Sequence, residues 1–292
     1  MAISRKMKFC ASILACAAAL GLIIQSFTAN AGDKATVVSP KDDVIKLFDG
    51  KSLDGLYTWI RDTKYEDPRN VFTVHDGLLH ISGDGFGGAT TKNEYANYHL
   101  VIEFKWGEIT WEPRKENTRD SGVLVHCTGE DGSYSGTWMN SIEAQIIEGG
   151  VGDILAVRGT DPDGKPMPCS LTAEIALDRD GEMIWKKGGE KKTIEGGRIN
   201  WYGRDPDWKD VIGFRGKEDV ESPFGEWTRM DVICEKDTIK IFVNGTQVNE
   251  ATELTPSAGK IIVQTEGAEM FVRKWELWPI GKGPKPAKAK QD

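Results

Sequence analysis

Residues 239–248 read Ile239-Lys240-Ile241-Phe242-Val243-Asn244-Gly245-Thr246-Gln247-Val248. Two runs of β-branched and aromatic residues flank Asn-Gly, the pair that best tolerates the two positive φ angles of a type I′ turn. The stretch predicts a β-hairpin. Asn244-Gly245-Thr246 also fits a glycosylation acceptor, but the turn explains it. Working outward, residues 71–74 and 78–81 flank Asp76-Gly77 and predict a second hairpin. Longer strands are predicted over 98–106 (YHLVIEFKW), 122–127 (GVLVHC) and 141–147 (SIEAQII). Residues 261–265 and 269–277 close the chain as two more. No window longer than about two turns shows helical periodicity, and no internal repeat is visible. Short strands with Gly-rich turns predict an all-β protein, a sandwich of two antiparallel sheets.

The 292 residues, 39% hydrophobic and 28% charged, have ordinary globular composition. The net charge of −8 argues against a nucleic-acid partner, which needs a basic surface. The single strongly apolar stretch excludes a polytopic membrane protein. It lies at the start, where Arg5, Lys6 and Lys8 precede an apolar run at 9–24 and Ala29-Asn30-Ala31 offers a cleavage site. The run is short for a span, which needs about 20 residues. Residues 1–31 therefore read as an export signal, giving a periplasmic or extracellular protein with no stable membrane insertion after cleavage. Removing 1–31 removes three basic and no acidic residues, taking the charge from −8 to −11. A flexible arm is expected at 32–43, one domain at 44–280, and a disordered Lys/Pro/Ala-rich tail at 281–292. Cys127, Cys169 and Cys234 remain after the signal, so at most one disulfide is expected, and the sequence does not select the pair.

Residues 149–224 carry DPDG (161–164), DRDG (178–181) and RINWYGRDPDW, with sparse strand signals. They are expected to be long loops inserted between sandwich strands, a frequent location of function. The G-x-G-x-x-G at 83–88 has no helix after it, so it is not a dinucleotide site. The D-x-D-G pieces lack the later ligands of a calcium loop and read as turns.

The informative segment is 119–150. On strand alternation, Glu143 and Gln145 project together from one face while Ile142, Ala144 and Ile146 face the core. The same count puts Leu124 with His126, Glu103 with Lys105, and Phe271 with Arg273 and Trp275. Such pairs also suit a solvated sheet face, which antiparallel sheets often have. Trp138, Trp106, Trp201 and Trp208 could stack on sugar faces, though for any one of them core packing is the better reading.

Two resemblances follow. Glu143-Ala144-Gln145-Ile146-Ile147-Glu148 looks like the E-x-D-x-x-E strand of jelly-roll glucanases, in which a bulge brings two glutamates to one face; Gln145 replaces the central Asp. More extensively, the chain resembles the 3-keto-disaccharide hydrolase domain family. The resemblance runs through Leu47-Phe48-Asp49-Gly50-Lys51, Asp76-Gly77-Leu78-Leu79, residues 98–104, Asp120-Ser121-Gly122-Val123 and Glu143/Gln145/Glu148. It continues through Gly225-Glu226-Trp227, Asn244-Gly245, residues 259–264 ending at Gln264, and 271–277. It implies a concanavalin-like jelly roll and action on glycosides oxidised at C3.

That chemistry needs a base near C2, a proton donor near the glycosidic oxygen and positive charge near the enolate oxygen. Glu143 or His126 is the expected base, and Glu148 the other acid/base. Lys105 and Arg273 are expected at the enolate, and Gln145, Gln264, Glu103 and Trp138 on the substrate. A divalent metal held by Glu143 and His126 is the other route to polarisation, without a diagnostic ligand spacing. The rival readings are a non-catalytic carbohydrate-binding module and a glucanase-like glycosidase.

Overall fold

The computed structural model describes residues 36–285. The expected export signal, the first residues of the arm, and the tail beyond 285 lie outside the described residues. Among the described residues there is no helix. In chain order the strands are β1 (Ile45–Phe48), β2 (Leu56–Ile60), β3 (Phe72–His75), β4 (Leu78–Ile81), β5 (Phe86–Thr91), β6 (Tyr98–Thr110), β7 (Asp120–Thr128), β8 (Asn140–Ile147) and β9 (Ile154–Val157). They continue as β10 (Ser170–Leu177), β11 (Met183–Trp185), β12 (Glu190–Ile194), β13 (Gly197–Ile199), β14 (Thr228–Glu235), β15 (Thr238–Val243), β16 (Thr246–Thr255), β17 (Lys260–Glu266) and β18 (Ala268–Trp278).

Two sheets result. The larger runs β11-β10-β16-β15-β14-β6-β18-β4-β3, with β1 on β18 and β12 on β10; the smaller runs β13-β9-β8-β7-β17-β5-β2. The chain is an all-β jelly-roll sandwich. Its hydrophobic core lies between the sheets, where Leu100, Ile102, Phe104, Val232 and Val272 meet Val123, Val125, Ile142, Ala144, Ile146 and Val263.

Both turn readings hold. Asp76 and Gly77 have φ of 50° and 78°, and Asn244 and Gly245 of 47° and 86°, the left-handed pairs a type I′ turn requires. Residues 149–224 differ from expectation, because they contain five strands, β9 to β13. Leu171, Ala173 and Ile175 alternate into the core along β10, a period-2 signal that the flanking Asp-Gly turns obscured. Part of the expected arm is tied down: Val38 bridges Tyr95, with Val38 N–H donating to Glu94 O at 2.8 Å. At the other end the carbonyls of Pro284 and Lys285 accept from Arg229. The three cysteines are all free and buried, so no disulfide forms among them.

Candidate functional site

The site is built by the register of the smaller sheet. Residues of β7, β8 and β17 alternate between the core and an outer face. Across that outer face, Tyr57 pairs Thr90, Thr90 pairs Ile262, and Ile262 pairs Leu124. Leu124 pairs Glu143, Glu143 pairs Leu155, and Leu155 pairs Arg198. One row of side chains thus carries Glu143 with Arg198 two strands away, a backbone separation of about 10 Å. The next row pairs Gly122 with Gln145 and Gly88 with Gln264. Asp120 stands two residues before Gly122 on β7, and Glu266 two after Gln264 on β17, both on the same face.

Gly122 leaves room there for two long side chains. A Cβ at this position would clash with Oε1 of both Glu143 and Gln264, which lean together over its bare backbone. Gln145 Nε2 donates to Asp120 Oδ1 at 2.5 Å. Asp120 Oδ2 lies 3.2 Å from Arg114 Nη2. Arg198 Nη1 lies 3.3 Å from Asp153 Oδ2, and its other donors have no partner among the described residues.

Three carboxyl groups in one cluster, two of them buried and Glu266 half-buried, cannot all ionise easily. Burial, reinforced by the Asp120 charge and opposed by Arg198, pushes Glu143 up to about 8. Burial raises Asp120 to about 7 against the pull of Arg114 and Arg198. Burial together with Asp120 and Glu143 holds Glu266 well above its ordinary range. The cluster therefore keeps protons near neutrality beside fixed positive charge, the condition for exchanging a proton with a bound molecule. A cavity of about 490 Å³ opens beside Arg198, between Met183, Asn200, Arg204 and Trp208.

The structure brings together Glu143, Gln145 and Gln264 on this face. Trp138 shares it, packed on Leu124, Cys127, Met139 and Ile262, with Nε1 donating to Gly87 O at 3.2 Å. The other expected residues lie elsewhere. His126 does not share the face of Leu124, because β7 bulges between Val125 and Thr128 and His126 takes φ 55°. Its ring turns into the core against Tyr98, at 5.9 Å between centroids, and Nδ1 meets Pro256 O at 3.2 Å. Burial pushes its pKa down to about 4. Glu143 and His126 thus face opposite sides of the sheet and cannot share a metal. Among the described residues no group of three or more His, Cys, Asp or Glu could hold a metal ion.

Glu148 also leaves the site. β8 pairs β7 from Ile142 to Ile147 without a bulge, so alternation sends Glu148 to the face opposite Glu143. There Oε1 takes Arg119 Nη1 at 2.7 Å, and Oε2 accepts the N–H groups of Arg119 and Gly213, each at 2.9 Å. The two-glutamate geometry of the glucanase strand does not form. Glu103, Lys105 and Arg273 stand on the outer face of the other sheet. Arg273 and Lys274 both reach Glu103, at 2.5 and 3.1 Å, because β18 bulges between Val272 and Lys274. That bulge returns Trp275 to the core, away from Phe271 and Arg273. Lys105 lies 5.1 Å over the Trp227 ring. Trp106 and Trp201 are core residues.

Glu266, Arg114 and Arg198 carry much of the site's charge beside Asp120, which the sequence offers only as part of a family motif. Alternation along Lys260, Ile262, Gln264 and Glu266 signals Glu266 once Gln264 is placed. Arg198 has no sequence signal, because only the pairing of β13 with β9 brings it to this face.

Over residues 43–277 the chain matches the family described as the 3-keto-alpha-glucoside-1,2-lyase-like domain. The chain belongs to this family. It is a carbohydrate-active protein, an enzyme acting on sugars or a module that binds them. No curated protein matches it. Among solved structures it is similar to a protein of Parabacteroides distasonis ATCC 8503 provisionally named a glycosyl hydrolase, at 19% identity and TM-score 0.46, covering 82% of this chain and 100% of that one. It is also similar to the β-glucanase of Bacillus licheniformis, at 11% identity and TM-score 0.41, covering 81% and 97%. A carbohydrate-binding module of Bacillus subtilis gives 8% identity and TM-score 0.42, covering 76% and 94%. The fold assignment rests on the two sheets themselves and not on these likenesses.

Proposed function

We propose that this chain is a hydrolase/lyase that cleaves 3-keto-glycosides, 3-keto-disaccharides among them, by removing the proton at C2. The observation that carries the reading is the carboxyl trio of buried Asp120 and Glu143 with half-buried Glu266, beside Arg198 and Arg114 on one sheet face. Family membership points to the same substrate class.

A ketone at C3 acidifies the C2 hydrogen. Glu143, when ionised, takes that proton; the C–H electron pair becomes the C2–C3 π bond and negative charge moves to the C3 oxygen. Arg198, in the same row as Glu143 and with unused donors, stabilises it. The carbonyl then re-forms, the C1–C2 π bond forms and the C1–O bond breaks. The leaving oxygen takes a proton from Glu266, which its surroundings keep protonated. Addition of water at C1 and of a proton at C2 completes net hydrolysis. Gln145 and Gln264 orient sugar hydroxyls, and Trp138 offers its ring to a sugar face. Export belongs to the same proposal and rests on Arg5, Lys6, Lys8 and Ala29-Asn30-Ala31; a secreted form beginning at Gly32 is the expected product.

The test pairs a 3-keto-disaccharide with its unoxidised counterpart and follows products by mass spectrometry. Release of the 3-keto-sugar from the oxidised substrate alone supports the reading. Cleavage of the plain disaccharide would favour a glycosidase. Binding without cleavage of either would make the chain a sugar-binding module.

A further inference from the structure

Arg114 stands on no strand. It lies in the turn between β6 and β7, and its place beside Asp120 is fixed from 96 positions further along the chain. Asp210 Oδ1 accepts the Thr118 N–H at 3.1 Å, the Thr118 hydroxyl at 2.6 Å and Arg114 Nη2 at 3.2 Å; Oδ2 accepts Asn117 Nδ2 at 2.7 Å. The same Arg114 Nη2 donates to Thr118 O at 3.0 Å and meets Asp120 Oδ2 at 3.2 Å. Ile212 N–H, two residues after Asp210, adds a main-chain tie to Glu116 O at 3.0 Å. One exposed carboxylate thus gathers four hydrogen bonds from a single turn. Burial opposes its ionisation, but the bonds from Thr118 and Asn117 outweigh this and hold the carboxyl below its usual value.

We propose that Asp210 is a positioning residue: by pinning the turn at 114–118 it holds Arg114 against Asp120 and so sets the pH at which the carboxyl cluster titrates. The proposal rests on the reading of Asp120, Glu143 and Glu266 as the working groups, yet its test does not depend on turnover. The groups facing Asp120 are Arg114 from the turn, Gln145 and Glu143 from β8, Glu266 from β17 and Arg198 from β13, with Asp153 beyond Arg198.

Two effects of losing Asp210 have opposite signs. Removing its negative charge makes Asp120 easier to ionise and moves the titration down. Releasing Arg114 removes a cation in direct contact with Asp120 and moves the titration up. The direct contact of Arg114 at 3.2 Å outweighs the direct field of Asp210, an exposed charge that solvent screens. The direction of the change therefore separates a positioning role from a purely electrostatic one.

The experiment follows melting temperature against pH for the full chain, for Asp210→Ala and for Asp210→Glu, together with the pH–rate profile on a 3-keto-disaccharide. Wild-type stability falls with rising pH as the unfolded chain gives up protons that the cluster retains. In Asp210→Ala the pH at which this fall ends is expected to move up by about half to one pH unit, with the rate profile moving alongside. Asp210→Glu, which keeps the charge and can reach the turn, returns toward wild type. If Asp210→Ala fails to fold, Asn117→Ala removes one of the bonds that tie the turn to Asp210 while keeping the Asp210 charge, and moves the titration the same way by less. A downward movement, or a uniform drop in melting temperature with no movement, overturns the proposal. If wild type fails to turn over the keto substrate, the proposed function falls, while the stability midpoints still decide the role of Asp210.

Discussion

Replacing Glu143 with Gln should exchange turnover for stability, with a pH signature that follows from the site. In the folded protein, burial reinforced by the Asp120 charge holds the Glu143 carboxyl near 8 instead of its ordinary 4.5. The native state therefore keeps a proton that the unfolded chain releases between those two values. Below about 4.5 both states are protonated and the carboxyl makes no difference. As pH rises from there the unfolded state is increasingly favoured, so stability falls until pH passes about 8 and is level above it. A carboxyl titrating alone in this way would cost about 3 kcal/mol at pH 7. Because Asp120 and Glu266 share the cluster's protons, one substitution is expected to recover about 1–2 kcal/mol. The amide has the same shape and cannot ionise. For a domain of this size that corresponds to a rise of about 3–6 °C in Tm. Calorimetry or dye-monitored melting at about pH 5, 7 and 8.5 reads the effect, with the two proteins converging at the acid end. Turnover falls about 10²–10⁴-fold, as for loss of a general base. A Tm difference independent of pH, or a Gln variant less stable than wild type at the alkaline end, would refute the reasoning.

Four further outcomes are expected. kcat/KM rises with pH through about 8 as Glu143 loses its proton, a limb that Glu143→Gln abolishes. Arg198→Met lowers kcat about 10²–10³-fold with a smaller change in KM, as for loss of a donor to a developing oxyanion, and steady-state kinetics separate the two. Glu148→Gln lowers Tm, because it strips the buried Arg119 of its partner at a cost of about 3–5 kcal/mol; a folded variant keeps its turnover, contrary to a glucanase-like role. Lys105→Met leaves kcat and KM unchanged, because Lys105 stands on the far sheet over Trp227; a tenfold loss would place the substrate on the wrong face.

What could be read from the sequence was what neighbouring residues decide. Asn244-Gly245 and Asp76-Gly77 specify their turns by backbone preference, and the hairpins follow. Alternation correctly places Glu143 and Gln145 opposite Ile142 and Ala144, since β8 is regular. Alternation fails where a strand bulges. One extra residue near His126 turns its ring inward, and another near Arg273 sends Trp275 to the core. Nothing near His126 in sequence announces a left-handed residue, because the bulge is set by pairing with distant strands. Asp120, Glu266, Arg114 and Arg198 come from separate segments of the chain, so their convergence exists only after β7, β17 and β13 are aligned. β10 was hidden differently: Leu171, Ala173 and Ile175 alternate cleanly, but the run lies among Asp-Gly turns that suggested irregular chain.

In the proposed reaction Glu143 removes the C2 proton of a 3-keto-glycoside. Its most direct test is turnover of a 3-keto-disaccharide in deuterium oxide, with C2 of the released 3-keto-sugar examined by NMR beside a no-enzyme control. Deuterium is expected at C2 at each turnover with wild type, and neither product nor incorporation above the control with Glu143→Gln. Product that keeps its original hydrogen at C2 would contradict elimination, and so would incorporation by Glu143→Gln at the wild-type rate.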